Sequence, residues 1–118
     1  METKINNFNG FDVRCVTQDD VVWFVAKDIV EAVGITVSGG INKYIGSVPD
    51  KWKGGKQIYP HTGSGNKNPN PQDMVCLTEE GVNFYLFRSD KPAALPFQEW
   101  LAGEVLPSLK KHGGYFNE

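Results

Sequence analysis

Apolar and polar positions alternate near the start of the chain. Phe11, Val13 and Cys15 are separated by Asp12 and Arg14, the period of two that half-buries a strand. Polar, turn-prone Thr17-Gln18-Asp19-Asp20 follows, and then Val21-Val22-Trp23-Phe24-Val25, a β-branched and aromatic run that reads as the return strand of a hairpin. The period then changes. Ile29, Val30 and Val33 follow Val25 and Ala26 at spacings of three and four, which predicts a short helix over 26–33 with Gly34 as its left-handed stop. A second short helix is expected over 38–46, with Ser38 as N-cap and Ile41, Tyr44, Ile45 and Val48 on its buried face. Gly39 and Gly40 weaken its first turn.

Residues 49–73 read as loop, interrupted by one strand from Lys56 to Tyr59. The stretch 60–71, rich in Gly, Asn and Pro, has no apolar residue besides its prolines. It reads as the long tip of a second hairpin whose return arm is Met74-Val75-Cys76-Leu77; loops of that length are usually functional or disordered. Thr78 caps the next helix, and Glu79 and Glu80 suit its positive start. Val82, Tyr85, Leu86 and Ser89 share a face, and Ser89-Asp90-Lys91-Pro92 ends that helix. The last helix carries Phe97, Trp100, Leu101, Val105 and Leu109 on one stripe, with Pro96 near its start. Pro107 inside the stripe has no N–H and is expected to kink or loosen the helix near Gly103. Lys110, Lys111 and His112 suit the negative end, and Gly113-Gly114 stops it. The fold class expected is α+β: two β-hairpins with short helices, a helix-turn-helix-like central segment and a C-terminal helical pair.

Composition narrows the class. The chain has 118 residues, 40% apolar and 22% charged. That suits one globular domain spanning 1–118, with a core that needs no disulfide staples. The longest apolar run, Val21 to Ala26, is far too short to span a bilayer, and the start lacks an apolar signal core, so a cytoplasmic protein without a membrane partner is expected. Cys15 and Cys76 stand alone, and neither His61 nor His112 has a neighbour at ligand spacing. Two free thiols on strands, no metal and no cofactor are therefore expected.

Charge changes the picture in one place. The net charge is -2, yet residues 41–70 hold Lys43, Lys51, Lys53, Lys56 and Lys67 against Asp50 alone, a surplus of +4 that leaves -6 on the other 88 residues. A local basic segment can supply phosphate contacts.

Enzymatic readings fail on geometry. Asp19-Asp20 would point to opposite sides of a strand, and Glu79-Glu80 sits at a helix start, so neither pair converges on one substrate. Ser38 and Ser64 have no patterned base. Gly63-Ser64-Gly65 lacks the strand–loop–helix context of a phosphate cradle. Trp23 and Trp100 read as core. Trp52, between Lys51 and Lys53, reads equally as core or as a nucleic-acid contact. A helix, a turn at Gly34, a second helix and a hairpin together resemble helix-turn-helix with a wing. In that geometry Ser38, Asn42 and Lys43 would face a groove, and Asn66, Lys67 and Asn68 at the wing tip would reach the backbone.

Longer pieces resemble a family. They are Phe11-Asp12-Val13-Arg14, Val22 through Gly34, Leu77 through Leu86, Arg88-Ser89, Phe97-Gln98-Glu99-Trp100-Leu101 and Glu104 through Tyr115. In order and spacing they resemble the BRO N-terminal domain, found in bacterial prophage antirepressors and in repeated open reading frames of large insect DNA viruses. The resemblance implies a DNA-binding or regulatory module: prophage members are associated with counteracting a phage repressor, viral members with nucleic-acid binding. Family proteins often continue into a second, C-terminal domain, which this chain is expected to lack, and the 60–71 loop looks longer than the family pattern. The leading expectation is a DNA-binding, transcription-regulating domain, not an enzyme, with Ser38, Asn42, Lys43, Lys51, Trp52, Lys53, Lys56 and Lys67 as candidate contacts. The alternative is a module that binds a phage repressor protein without touching DNA, favoured by the acidic remainder. A weak homodimer is also expected, from apolar surface near Tyr115-Phe116.

Overall fold

A computed structural model describes residues 3–58 and 72–112, the side chains of 110–112 excepted. Five strands form one antiparallel sheet: β1 (Thr3–Phe8), β2 (Phe11–Gln18), β3 (Val21–Val25), β4 (Lys53–Ile58) and β5 (Gln72–Thr78), in the order β1-β2-β3-β5-β4. The helices are α1 (Ala26–Ala32), α2 (Glu79–Phe87), α3 (Ala94–Trp100) and α4 (Leu106–His112). The α+β class is as expected, and the two hairpins share one sheet because β5 pairs with β3 over Trp23–Val25 and Cys76–Thr78.

The opening hairpin turns at Asp19 and Asp20, both at positive φ (53° and 64°), the two-residue turn that matches strand twist. A strand the pattern did not reveal, β1, precedes it. Asn9 (φ 50°) and Gly10 (φ 90°) make another such turn, with Phe8 opposite Phe11.

β3 runs directly into α1, and β2 loses its neighbour there. Asp28, in the first turn of α1, takes the vacated place: its carboxylate accepts the Arg14 backbone N–H at 2.9 Å and the guanidinium at 2.8 and 2.9 Å. Those bonds raise the guanidinium pKa further above its ordinary value. α1 ends as expected at Gly34 (φ 103°), whose N–H reaches Glu31 while Ile35 N–H reaches Val30, a Schellman stop.

The second helix expected over 38–46 is not formed. It shrinks to one 3-10 turn, Ile41–Lys43. Gly39 adopts φ 77°, and the residue before the turn is Gly40, with no side-chain cap. Ser38 is therefore not an N-cap; its own N–H donates to the Tyr44 hydroxyl at 2.9 Å. The expected apolar face still turns inward: Ile45 and Val48 are buried, Ile41 and Tyr44 half-buried. Without a second helix, no recognition helix of helix-turn-helix type stands here.

Thr78 caps α2 by accepting Gly81 N–H at 3.2 Å. The last helix is continuous from Ala94 to His112 but contains a π segment, Leu101–Val105, in which Leu106 N–H bonds the Leu101 carbonyl, five residues back. This is the loosening expected from Pro107, and it has a packing consequence. At about 100° per residue, an uninterrupted helix would turn Leu106 about 140° and Leu109 about 80° from Leu101. One extra residue in the turn removes roughly 100° from each. Val105, Leu106 and Leu109 are accordingly all buried with Leu101 and Phe97. Trp100 sits half-buried at the edge of this core, its ring tilted against those of Phe8 and Phe97.

The main core lies between these helices and the sheet face bearing Val13, Cys15, Val22, Phe24 and Leu77. A smaller cluster, Val16, Val25, Ile58 and Cys76, lies on the opposite face with Trp23 and Met74 against it. Trp23 is thus half-buried there and is not part of the main core. The expectations for 60–71, Tyr59, the Gly113-Gly114 stop and Tyr115-Phe116 fall outside the described residues.

Candidate nucleic-acid interface

The basic segment begins on the 3-10 turn at 41–43. Lys43 is exposed, its Nζ 5.4 Å from the Tyr44 ring centroid. The Tyr44 hydroxyl holds the preceding loop: besides accepting Ser38 N–H, it lies 3.3 Å from the Ser38 carbonyl and 3.4 Å from the Thr36 carbonyl. The backbone of Ser38 is therefore held by the phenol beside which Lys43 stands, a role for Tyr44 that its place on an apolar face concealed.

After Ile45 and Val48 are buried, Asp50–Trp52 makes a second 3-10 turn leading into β4. Lys53 is largely covered, its side chain 18% exposed, and its Nζ is 3.4 Å from both the Asp50 carboxylate and the Ile45 carbonyl. Between the two turns and strands β4 and β5 lies an open cleft of about 470 Å³, with Asn42, Asp50, Lys53, Gly55 and Val75 among its walls. Asn42 and Lys53 are thus brought together.

Lys56 is not with them. Three positions along a strand reverse the face, and Lys56 lies on the other side of the sheet. There its Nζ sits 4.2 Å from the Trp23 ring centroid and donates to Gln18 at 2.8 Å. The indole lies across Gly54, where a Cβ would come within 3.0 Å of it, which is why the strand carries glycine at that point. This lysine is committed to packing. Lys67 lies outside the described residues.

Trp52 settles on α2. Its carbonyl approaches Gly81 so closely that a Cβ there would stand 2.9 Å away, and its ring is 5.7 Å from Phe84. Lys51 Nζ stands 5.1 Å from the Trp52 ring, and the Arg88 guanidinium 5.4 Å from the Phe84 ring. Lys51, Trp52, Phe84 and Arg88 therefore form one strip of alternating contact, cation–ring–ring–cation. Phe84 and Arg88 are an i,i+4 pair on α2, legible once the helix is assigned. Their meeting with Trp52 is not, because it depends on β5 folding back along β4. Among the described residues Lys43, Lys51 and Arg88 form no ion pair, whereas Arg14, Lys27 and Lys53 do.

Among the described residues no other chemistry gathers. Cys15 and Cys76 are both buried free thiols, and burial pushes them up to about 11 and about 12. Thiols so protonated are poor nucleophiles and poor ligands. Among the described residues no group of three His, Cys, Asp or Glu side chains could hold a metal ion, and no helix is long and apolar enough to cross a membrane.

The profile of the BRO family, N-terminal domain, matches residues 12–107. An uncharacterized protein of Haemophilus influenzae is 28% identical over 110 residues, covering 92% of this chain and 50% of its own. An uncharacterized Bro-N domain-containing protein, ORF2, of Autographa californica nuclear polyhedrosis virus is 31% identical over 127 aligned positions, covering 95% of this chain and 38% of its own. The chain thus spans half or less of the length of these curated relatives. No solved structure matches.

Proposed function

The chain belongs to the BRO family, through that family's N-terminal domain, and from this premise we propose that it is a DNA-binding, transcription-regulating domain of prophage-antirepressor type. The observation that carries the reading is the pair Lys43 and Lys51. They stand on two consecutive turns, exposed and without carboxylate partners among the described residues, beside a cleft that adds Asn42 and Lys53. Short turns hold such charges at fixed height above the sheet, where they can meet phosphates without the insertion of a helix. The action is binding, not catalysis, and it belongs to this segment whatever the longer relatives do besides.

Counterion release supplies the test. Each phosphate contact contributes about -0.9 to the slope of log affinity against log salt on duplex DNA. The two unpaired lysines give about -1.8, and all four described lysines of the segment about -3.6. Titration of a fluorescent duplex at two salt concentrations should fall in that range. No retention at low salt would end the reading. One observation favours a second reading, a module that binds a phage repressor: the 88 residues outside 41–70 carry -6. Capture of a purified repressor that persists after Lys43 and Lys51 are replaced by Gln would place the partner on the acidic remainder.

A further inference from the structure

The sheet ends on β1, which pairs with β2 on one side and with no described strand on the other. Phe8 and Phe11 flank the two-residue turn at Asn9-Gly10, so they exchange both backbone bonds. The alternation then turns Asn6 and Lys4 toward β2 and leaves the N–H and C=O of Thr3, Ile5 and Asn7 pointing outward. Arg14 agrees with this phase: it stands opposite Ile5, and its own N–H points away from β1 to Asp28. No described backbone group meets the outward row. We propose that this edge pairs with β1 of a second copy of the chain, antiparallel about a twofold axis at Ile5, joining two sheets into one.

Three observations choose that occupant. The edge is unguarded: β1 keeps an unbroken register over its six residues, with no proline, no bulge and one charge. At the other end of the sheet β4 carries Lys53, Lys56 and two glycines. The register is self-complementary. With the axis at Ile5, Ile5 faces the copy's Ile5 and Thr3 faces the copy's Asn7, so every outward group finds a partner. An axis one residue earlier sets Lys4 against itself, like charges directly opposite. An axis one residue later leaves Thr3 without a strand partner. The charge is complementary too, because the Ile5 axis places Lys4 opposite Asn6. Lys4 is exposed and forms no ion pair among the described residues. The Asn6 amide turns its Nδ2 to Cys15 Sγ, 3.9 Å away, which leaves its Oδ1 to accept from the copy's ammonium. One strand edge is a small contact, so the dimer is weak and concentration-dependent. It needs neither DNA nor residues 115–116.

Sedimentation of the wild-type chain from micromolar to millimolar concentration should show monomer passing into dimer. Ile5→Pro removes only an outward N–H, a change that an edge strand admits. It should weaken dimerisation roughly tenfold or more, with the melting temperature of the dilute chain reporting that the fold is kept. Ile5→Cys tests the axis directly. The paired residues would stand about 5.5 Å apart at Cα, within disulfide reach. At Lys4→Cys the two copies would stand about 8 Å apart, beyond it. Under a mild oxidant the first variant should cross-link about tenfold faster than the second. Cys15 and Cys76 are buried and stay out of the reaction. Should the proline unsettle β1, the cross-linking rates decide alone. Equal rates, or dimerisation that a folded Ile5→Pro chain retains in full, overturn the proposal and put the contact elsewhere. A chain that stays monomeric throughout overturns it as well and leaves the edge to another protein's strand.

Discussion

Asp28 serves two neighbours with one carboxylate. It replaces the strand that β2 loses at Arg14 and neutralises the Arg14 guanidinium, with side chains only 19% (Arg14) and 8% (Asp28) exposed. Removing one member of a covered pair leaves the other charge and an N–H without an acceptor. Asp28→Ala should therefore cost about 3 kcal/mol, toward the low end for buried pairs because Arg14 retains some water. The melting temperature should drop on the order of 10 °C, and urea denaturation provides the check. The two cysteines make a second prediction at this scale. Burial raises both thiols above the ordinary value of 9.0, so the folded state holds its protons more tightly than the unfolded one. Their contribution to stability is intact below about pH 9 and is lost as pH rises through about 11 and about 12. Near pH 8 both thiols should react with a disulfide reagent only in denaturant; rapid labelling of the native chain would show that neither is protected. Neither Asp28's second partner nor the burial of the thiols could be read from sequence as more than a polar residue in a helix and two cysteines on strands.

Elements were legible wherever period and punctuation agreed. The hairpin of β2 and β3, the stop at Gly34 and the cap at Thr78 all formed where their residues indicated. Three departures have local causes. β1 is too polar to show alternation, and its signal was the Asn9-Gly10 turn. The segment 38–46 has helical spacing of apolar residues, but its glycines and the bond from Ser38 to Tyr44 favour a single 3-10 turn that buries the same side chains. Pro107 foretold a disturbance, but not that a π segment would bring Leu106 into the core alongside Leu109. The docking of α2 on the turn at 50–52 offers a test between elements. Alanine normally improves a helix over glycine by about 1 kcal/mol. At Gly81 its Cβ would meet the Trp52 carbonyl at 2.9 Å and Trp52 Cβ at 3.1 Å, and backbone must move to admit it. Gly81→Ala should therefore destabilise by about 1–3 kcal/mol and alter tryptophan emission. A gain in stability would mean that the contact is loose.

Across the molecule, what the sequence could not reveal is the order of the strands. Two hairpins were evident; that β5 lies between β3 and β4 was not, because only three residue pairs join the halves of the sheet. That one choice sorts the basic segment. Lys53 and Lys56 look equivalent along the chain, yet the sheet sends the first toward Ile45 and Asp50 and the second across to Trp23 and Gln18. Among the described lysines of the segment, only Lys43 and Lys51 form neither an ion pair nor a side-chain hydrogen bond. Two double variants therefore separate roles that net charge cannot, since each removes two positive charges. Lys43→Gln with Lys51→Gln removes only longer cation–ring contacts, so it should lower the melting temperature less than the second pair does, and flatten the duplex salt slope by about 1.8, weakening all sequences alike. Lys53→Gln with Lys56→Gln should lower the melting temperature, with about 1 kcal/mol from the lost contact over Trp23, and change the slope less. If the second pair flattens the slope as much as the first while the fold holds, both faces of the sheet meet DNA and the division drawn from strand order is wrong.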